Sequence, residues 1–248
     1  MVNIKKYNKA AVQSAGGLLR FWTGGIIILE LNHLYNMDCM EGMKQFPDKY
    51  FDLAVVDPPY GIGESGLNNQ TRGKLAKSKC YRAFYGNDKV PPDKAYFEQL
   101  RRISKDQIIF GANHFIDRLP EPRSSHCWIV WDKDNGKSDF ADCELAWTSF
   151  NTAVRRLKYR WHGMLQEDMR NKEQRIHPTQ KPVKLYEWLL LNYAKPGYKI
   201  LDTHAGSASS LVACENLGFQ YIGFEIDKDY YNLASDRLEA VKAQTRLF

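Results

Sequence analysis

The sequence predicts an α/β protein: a mostly parallel, twisted sheet with helices on both faces. Three observations carry that expectation. From about residue 30 onward, short and nearly continuous apolar runs alternate with segments of helical period, the pattern of strands buried on both sides. The runs are punctuated by Pro and Gly, as at Pro58-Pro59 and Pro196-Gly197, which end strands and helices rather than sit inside them. Two of the runs end in an acid, Asp57 and Asp202, and sheets of this class bind ligands outside the carboxyl ends of their strands. With 248 residues, 44% of them hydrophobic, the chain is long enough for one sizeable core with small insertions.

Taken in order, residues 1–28 hold an apolar stretch broken by Gly16-Gly17, Arg20 and Gly24-Gly25. It is too short and interrupted for a membrane span, and it makes a poor signal peptide, since its apolar part is split and no clean small-x-small cleavage site follows. It reads as a loosely docked, non-catalytic extension, with residues 26–31 as an edge strand. Residues 29–248 read as a single domain with insertions at about 63–87 and 151–176. Within it, 51–56 is a buried strand, and 92–104, with Phe97, Leu100 and Ile103, is an amphipathic helix. Strands follow at 107–111, 126–131 and 143–150. Residues 183–194 carry Leu185, Trp188 and Leu189 at helical spacing. Then come a strand at 198–201, a helix at 207–217 closed by Gly218, a strand at 220–225 and a last amphipathic helix at 229–242.

Cysteine and histidine usage excludes several chemistries. The five cysteines, Cys39, Cys80, Cys127, Cys143 and Cys214, form no C-x-x-C. That fits a reducing compartment, the cytoplasm, without disulfides or a zinc site, and each cysteine reads as a small core residue. His33, His114, His126 and His162 show no metal-ligand spacing, so no metal is expected. Trp128 and Trp131 fit strand packing, Asp132-Lys133-Asp134 a polar turn, and Asp52 and Asp88 caps or surface acids.

The net charge of +6 suits a polyanionic partner. Two polar stretches concentrate the base: one carries Lys74, Lys77 and Lys79; the other carries Arg155, Arg156, Lys158, Arg160 and Arg175, with Tyr159 and Trp161 interleaved. Base with aromatic suits phosphates and nucleobases; a solvated loop face is the alternative.

Three segments carry chemistry. Residues 202–209 form a small-residue turn after a strand, and the next strand ends in Glu225. Small residues admit a ligand to the backbone, and an acid at the second strand's end suits ribose hydroxyls; an ordinary strand-turn-helix remains the alternative. Asp57-Pro58-Pro59-Tyr60 suits an exocyclic amine on a nucleobase. Such a nitrogen is a poor nucleophile, and acceptors aimed at its hydrogens favour the charge that builds during attack. Asp57 supplies one acceptor and the Pro58 carbonyl a second, stiffened by the fixed φ of proline. Tyr60 supplies a stacking surface for a base that has left the duplex. The third segment is Ile176-His177-Pro178-Thr179-Gln180-Lys181-Pro182.

In this order, D-P-P-Y ahead of the H-P-T-Q-K-P run and the turn at Asp202, the chain resembles the β group of S-adenosylmethionine-dependent DNA amino-methyltransferases. The resemblance covers about residues 31–238 and implies a Rossmann-like methyltransferase fold with permuted motif order. It implies a role in catalysis for Asp57, Pro58, Pro59 and Tyr60. It places Asp38 beside the cofactor adenine and His177, Thr179, Gln180 and Lys181 at the methionine end. Asp202, His204, Gly206, Ser207 and Ser209 then line the cofactor turn, with Glu225 and Ile226 at the ribose. Asn113 matches a segment near the target pocket. The family turn D-P-F-x-G-S-G departs here to Asp202-Thr203-His204-Ala205-Gly206-Ser207-Ala208.

The implied reaction is methylation of adenine N6 in double-stranded DNA by direct attack after base flipping. Cytosine N4 is the nearest alternative; Asp before Pro-Pro-Tyr leans toward adenine. A non-enzymatic DNA-binding module explains the basic loops but not Asp57 with Glu225. A glutamine methyltransferase would carry Asn first and its cofactor turn upstream, and a cytosine C5 enzyme a Pro-Cys nucleophile. The sequence leaves open a homodimer and a restriction-enzyme partner.

Overall fold

The computed structural model describes residues 11–13, 19–23, 26–63, 88–136, 141–162 and 165–245. The expected sheet is present. Its strands are β4 (His33–Asn36), β5 (Phe51–Val56), β6 (Ser104–Phe110), β7 (Trp128–Asp132), β8 (Cys143–Thr148), β9 (Arg155–Lys158), β12 (Lys199–Asp202) and β13 (Gln220–Glu225). They lie in the order β4-β13-β12-β5-β6-β8-β7-β9. Among the described residues β8 alone runs against the rest, pairing antiparallel with both β6 and β7.

Side chains alternate across the sheet. Leu53 and Val55 of β5 face one core with Ile108 and Phe110, while Ala54 and Val56 face the other with Ile109. Burial on both faces is why these strands read as unbroken apolar runs. Helices α3 (Val183–Tyr193), α4 (Ser209–Leu217) and α5 (Lys228–Thr245) cover the first face. Helices α1 (Cys39–Met43) and α2 (Lys94–Ile103) cover the second. Asp93 caps α2, accepting from the Tyr96 amide at 3.0 Å.

Several expectations need correction. The strand expected at 26–31 is β3 (Ile26–Leu29). It belongs to a separate antiparallel sheet with β1 (Ala11–Gln13) and β2 (Leu19–Thr23), so part of the extension has a sheet of its own. The insertion expected at 151–176 begins as β9, which pairs parallel with β7 and extends the main sheet. It continues into a short ladder of β10 (Trp161–His162) and β11 (Leu165–Gln166). Helix α4 starts two residues later than expected because Ala208 takes a left-handed conformation, φ 57°, which a helix interior excludes. Cys127 and Cys214 are buried, but Cys143 is exposed, because it opens β8 at the sheet's rim. No helix among the described residues is long and apolar enough to cross a membrane.

Candidate active site

Strand order brings the three motifs together. β5 and β12 are neighbours, with Leu53 opposite Ile200 and Ala54 opposite Leu201, so Asp57 and Asp202 leave the sheet side by side. From this boundary the chain winds one way through β5 to β6 and the other way through β12, β13 and β4, the reversal at which such sheets open a crevice. Glu225 ends β13 and Lys133 follows β7 on the same rim. Because β8 is antiparallel, its second residue, Glu144, also lies there, opposite Trp131.

Asp57 sits in a chain of alternating charge. Its Oδ1 accepts from the Tyr60 hydroxyl at 2.7 Å and its Oδ2 from Lys181 Nζ at 2.5 Å. Lys181 also pairs with Glu144 Oε2 at 3.0 Å, and Lys133 closes the chain on Glu144 Oε1. Burial raises the Asp57 carboxyl, Lys181 works against that, and Glu144 adds to it, leaving it above the ordinary carboxylate range. Burial works the same way on Glu144, but Lys181 and Lys133 hold it down to about 2. Burial alone would discharge Lys181; the two carboxylates keep it protonated.

The loop around these groups is rigidly tied. Asp88 Oδ1 accepts from the Tyr60 and Gly61 amides at 2.5 and 2.9 Å, and Oδ2 from the Ile62 amide at 3.3 Å. The Tyr60 ring rests on Gly111, where a Cβ would lie 2.1 Å from the ring, so only glycine fits. His114 stacks on that ring with a centroid distance of 5.3 Å. Asn113, between them in the chain, is exposed.

The second cluster is held differently. Asp202 Oδ1 accepts from the His204 amide at 3.0 Å, and its Oδ2 from the Ser210 hydroxyl. Glu225 Oε2 accepts from the Gly206 amide and Oε1 from the Asp227 amide, each at 2.8 Å. These acids have backbone or hydroxyl partners where Asp57 has an ammonium. Burial accordingly pushes Asp202 up to about 7, with Asp57 and Glu225 adding to it, and burial also raises Glu225. Burial lowers His177 and His204 to about 4. His177 packs edge-on against Tyr230, with its Nδ1 3.1 Å from the Thr179 hydroxyl. His204 sits edge-on to Tyr96, whose hydroxyl is 2.6 Å from that of Thr203. The Ser207 and Ser209 hydroxyls lie 3.0 Å apart, and Arg237 donates to Ser209 Oγ and the Ser207 carbonyl.

Four expected cofactor residues have other partners here. The Lys181 side chain belongs to the Asp57 cluster. Gln180 is buried as a loop strut: its Oε1 accepts from the Ile176 amide and its carbonyl from Trp161 Nε1. Asp38 caps α1, accepting from the Met40 amide at 2.8 Å, while remaining exposed. Ser209 is tied to Arg237. Ile226 is 44% exposed beside Glu225.

Among the basic residues, Arg155, Arg156 and Lys158 stand on the exposed edge strand β9. Lys158 pairs with Asp134 at 2.8 Å, and Arg160 pairs with the same carboxylate, so part of that charge is already compensated. Arg175 lies half-buried over the Trp161 ring at 4.3 Å. Lys74, Lys77 and Lys79 lie outside the described residues. Sequence reasoning missed Glu144, Lys133, Tyr96 and Arg237, and it gave His114 no part in the site. The available signal was the acid near the start of an otherwise apolar strand, Cys143-Glu144-Leu145-Ala146-Trp147.

A family model for N6/N4 DNA methylases matches residues 101–236, more than half of the chain. The chain belongs to this DNA methylase family. The matched stretch includes Glu144, the His177 run, the turn at 202–209 and Glu225. The type II methyltransferase M.HpaI of Haemophilus parainfluenzae is 24% identical over 242 aligned residues, covering 82% of this chain and 73% of that one. Two solved structures share the fold. The PvuII DNA methyltransferase, described as cytosine-N4-specific, has a TM-score of 0.53 at 14% identity, covering 85% of this chain and 89% of that one. The M1.HpyAVI-SAM complex has a TM-score of 0.52 at 18% identity, covering 83% and 98%.

Proposed function

We propose that this DNA methylase transfers a methyl group from S-adenosylmethionine to adenine N6 at specific sites in double-stranded DNA, acting on a base rotated out of the helix. Residues 29–248 form the catalytic domain in this reading. The observation that carries it is the placement of Asp57, stiffened by Pro58-Pro59, on the strand next to the one that ends in Asp202. An acceptor for an amine and a cradle for a nucleoside thus share one crevice.

The second cluster fits the cofactor. Each carboxylate oxygen of Glu225 holds one backbone amide and keeps a further lone pair for a ribose hydroxyl. At Gly206, φ 51°, nothing lies closer to an added Cβ than the His177 ring at 3.7 Å, so the backbone is approachable. Asp202, Glu225 and the exposed Asp38 favour a cationic ligand. When bound, S-adenosylmethionine would supply an electrophilic methyl and leave as a neutral thioether holding the C–S electron pair; the amine nitrogen gives its electron pair to the new bond and loses one proton to solvent water.

The chain's own residues prepare the amine. Asp57 and the Pro58 carbonyl accept its two hydrogens, which favours positive charge on the nitrogen as attack proceeds. Tyr60, fixed by Asp88, Gly111 and His114, defines the plane of the base. Asp rather than Ser ahead of Pro-Pro-Tyr favours adenine over cytosine N4. Expression in methylation-free cells, followed by modification-sensitive sequencing of their DNA, tests the reading. N6-methyladenine in one short sequence context is the expected result. N4-methylcytosine would move the assignment to the other amine, and unmodified DNA from cells holding folded protein would overturn it.

A further inference from the structure

Glu144 belongs to none of the three motifs, yet it is the second carboxylate of the Asp57 cluster. Its Oε2 lies 3.0 Å from Lys181 Nζ and 3.4 Å from the Tyr60 hydroxyl. Lys181 is almost fully buried, its side chain 5% exposed, and bridges Glu144 and Asp57. Such a geometry creates a competition. An ammonium 2.5 Å from Asp57 Oδ2 occupies the oxygen that the proposed reaction needs as an acceptor, and it weakens that oxygen's pull on the amine hydrogens. A buried lysine released from its partner with nowhere to go would carry a severe penalty.

We propose that Glu144 is a positioning residue for methyl transfer: it receives the Lys181 ammonium when the target amine takes its place on Asp57 Oδ2. The inference rests on the reading of Asp57 as the amine's acceptor. Lys181 thus neutralises Asp57 while no base is bound and swings toward Glu144 when one enters. The swing is short because Lys181 already touches both carboxylates. Lys133 sets the balance from the far side: by pairing with Glu144 Oε1 it moderates that carboxylate's hold on Lys181. The titratable groups facing Asp57 are Tyr60 on its own loop, Lys181, Glu144 on β8, Lys133 behind it, Tyr96 on α2, Tyr186 on α3 and Asp202 on β12.

Two substitutions on either side of Lys181 give effects of opposite sign. In Glu144→Gln, Lys181 is left with Asp57 as its one carboxylate, and a nearby negative charge is gone. In Lys133→Gln, Glu144 draws Lys181 away from Asp57, and a positive charge is gone. The ionisation midpoint of Asp57 is read on cofactor-free protein by carboxyl-carbon NMR, assigned with Asp57→Asn. It is expected to fall in Glu144→Gln and rise in Lys133→Gln. In parallel, Glu144→Gln is expected to lower kcat about tenfold or more, with KM for S-adenosylmethionine and its calorimetric affinity within about threefold.

Midpoints that stay put or move in the same direction in both variants would overturn the role of Glu144, as would a kcat within twofold of the parent. Thermal unfolding and cofactor binding confirm that each variant is folded. Should Glu144→Gln not fold, the Lys133→Gln midpoint alone decides, a rise supporting the proposal and anything else overturning it. If the unsubstituted protein methylates no DNA, the proposed function fails; if it methylates and the variants behave like it, this inference alone fails.

Discussion

The two acids that leave the sheet side by side are held by opposite means. Asp57 is embedded in side-chain charge, with Lys181 on one oxygen, Tyr60 on the other, and Glu144 and Lys133 behind them. Asp202 and Glu225 hold backbone amides and a serine hydroxyl. The first arrangement can be redistributed by moving one ammonium. The second is part of the chain's own turn and cannot change without reshaping it. On the proposed function the difference divides labour: the cluster that would respond to an entering amine is built from mobile charge, and the cradle that would keep its shape from fixed dipoles.

Breaking the first cluster has the largest expected effect on stability. Lys181→Met strips Asp57 of its ammonium and leaves Glu144 with Lys133 alone, two largely buried carboxylates near each other, which is expected to cost about 3 kcal/mol at neutral pH. The loss should shrink as the pH falls and one carboxyl takes up a proton. Urea unfolding at pH 5 and pH 8 checks both points; equal losses at the two pH values would mean that the carboxylates do not depend on Lys181.

Asp202 sharpens the comparison through pH. Its folded-state pKa of about 7 lies above the ordinary carboxylate value, so its contribution to stability is fully present below about pH 4. It is lost as the pH rises through 7. His177 and His204, lowered to about 4, run the other way: their contribution is present above about pH 6.5 and is lost toward pH 4. Against Asp202→Asn, the unsubstituted protein is expected to lose about 2–4 kcal/mol of relative stability between pH 4 and pH 8. A flat difference across that range would refute the assignment of the slope to Asp202.

Asp88→Ala is the next step down. It removes the acceptor for three amides of the Asp57 loop. A loss of about 1–3 kcal/mol is expected for donors left without a partner, with activity falling more than cofactor affinity. Smallest is Ala208→Gly. Relief of the left-handed conformation, worth about 1–2 kcal/mol, is offset by a lost buried methyl of about 0.8 kcal/mol and by greater freedom of the unfolded chain. The net change in melting is expected to stay within about 1 kcal/mol, so alanine serves the turn nearly as well as glycine.

What was legible in the sequence follows the same division. Most strands of the main sheet, though not β4 or β9, the permuted order and the acids at Asp57, Asp202 and Glu225 were readable because they depend on local period and on contiguous motifs. The pairing of Lys181 with Asp57 was not, because a flexible side chain reaches to the end of a strand far away in the sequence. Glu144 was hidden for a related reason. Its value comes from β8 running antiparallel, which carries the start of that strand to the rim where the other strands end. Asp88 read as a cap or a surface acid, and only the fold shows that the loop it caps is D-P-P-Y. The turn read at Asp132-Lys133-Asp134 is polar as expected, but Lys133 is turned inward onto Glu144 rather than toward solvent.

The division of labour is tested most directly by measuring cofactor affinity and methylation on the same samples of Asp57→Ala and Glu225→Ala. Calorimetry with S-adenosylmethionine and methyl transfer to DNA are the two readouts. Asp57→Ala is expected to bind the cofactor within about threefold of the parent while losing methylation by a factor of about 10³ or more. Glu225→Ala is expected to lose cofactor affinity first, by about 10-fold or more. Parallel loss of binding and methylation in both variants would contradict the account.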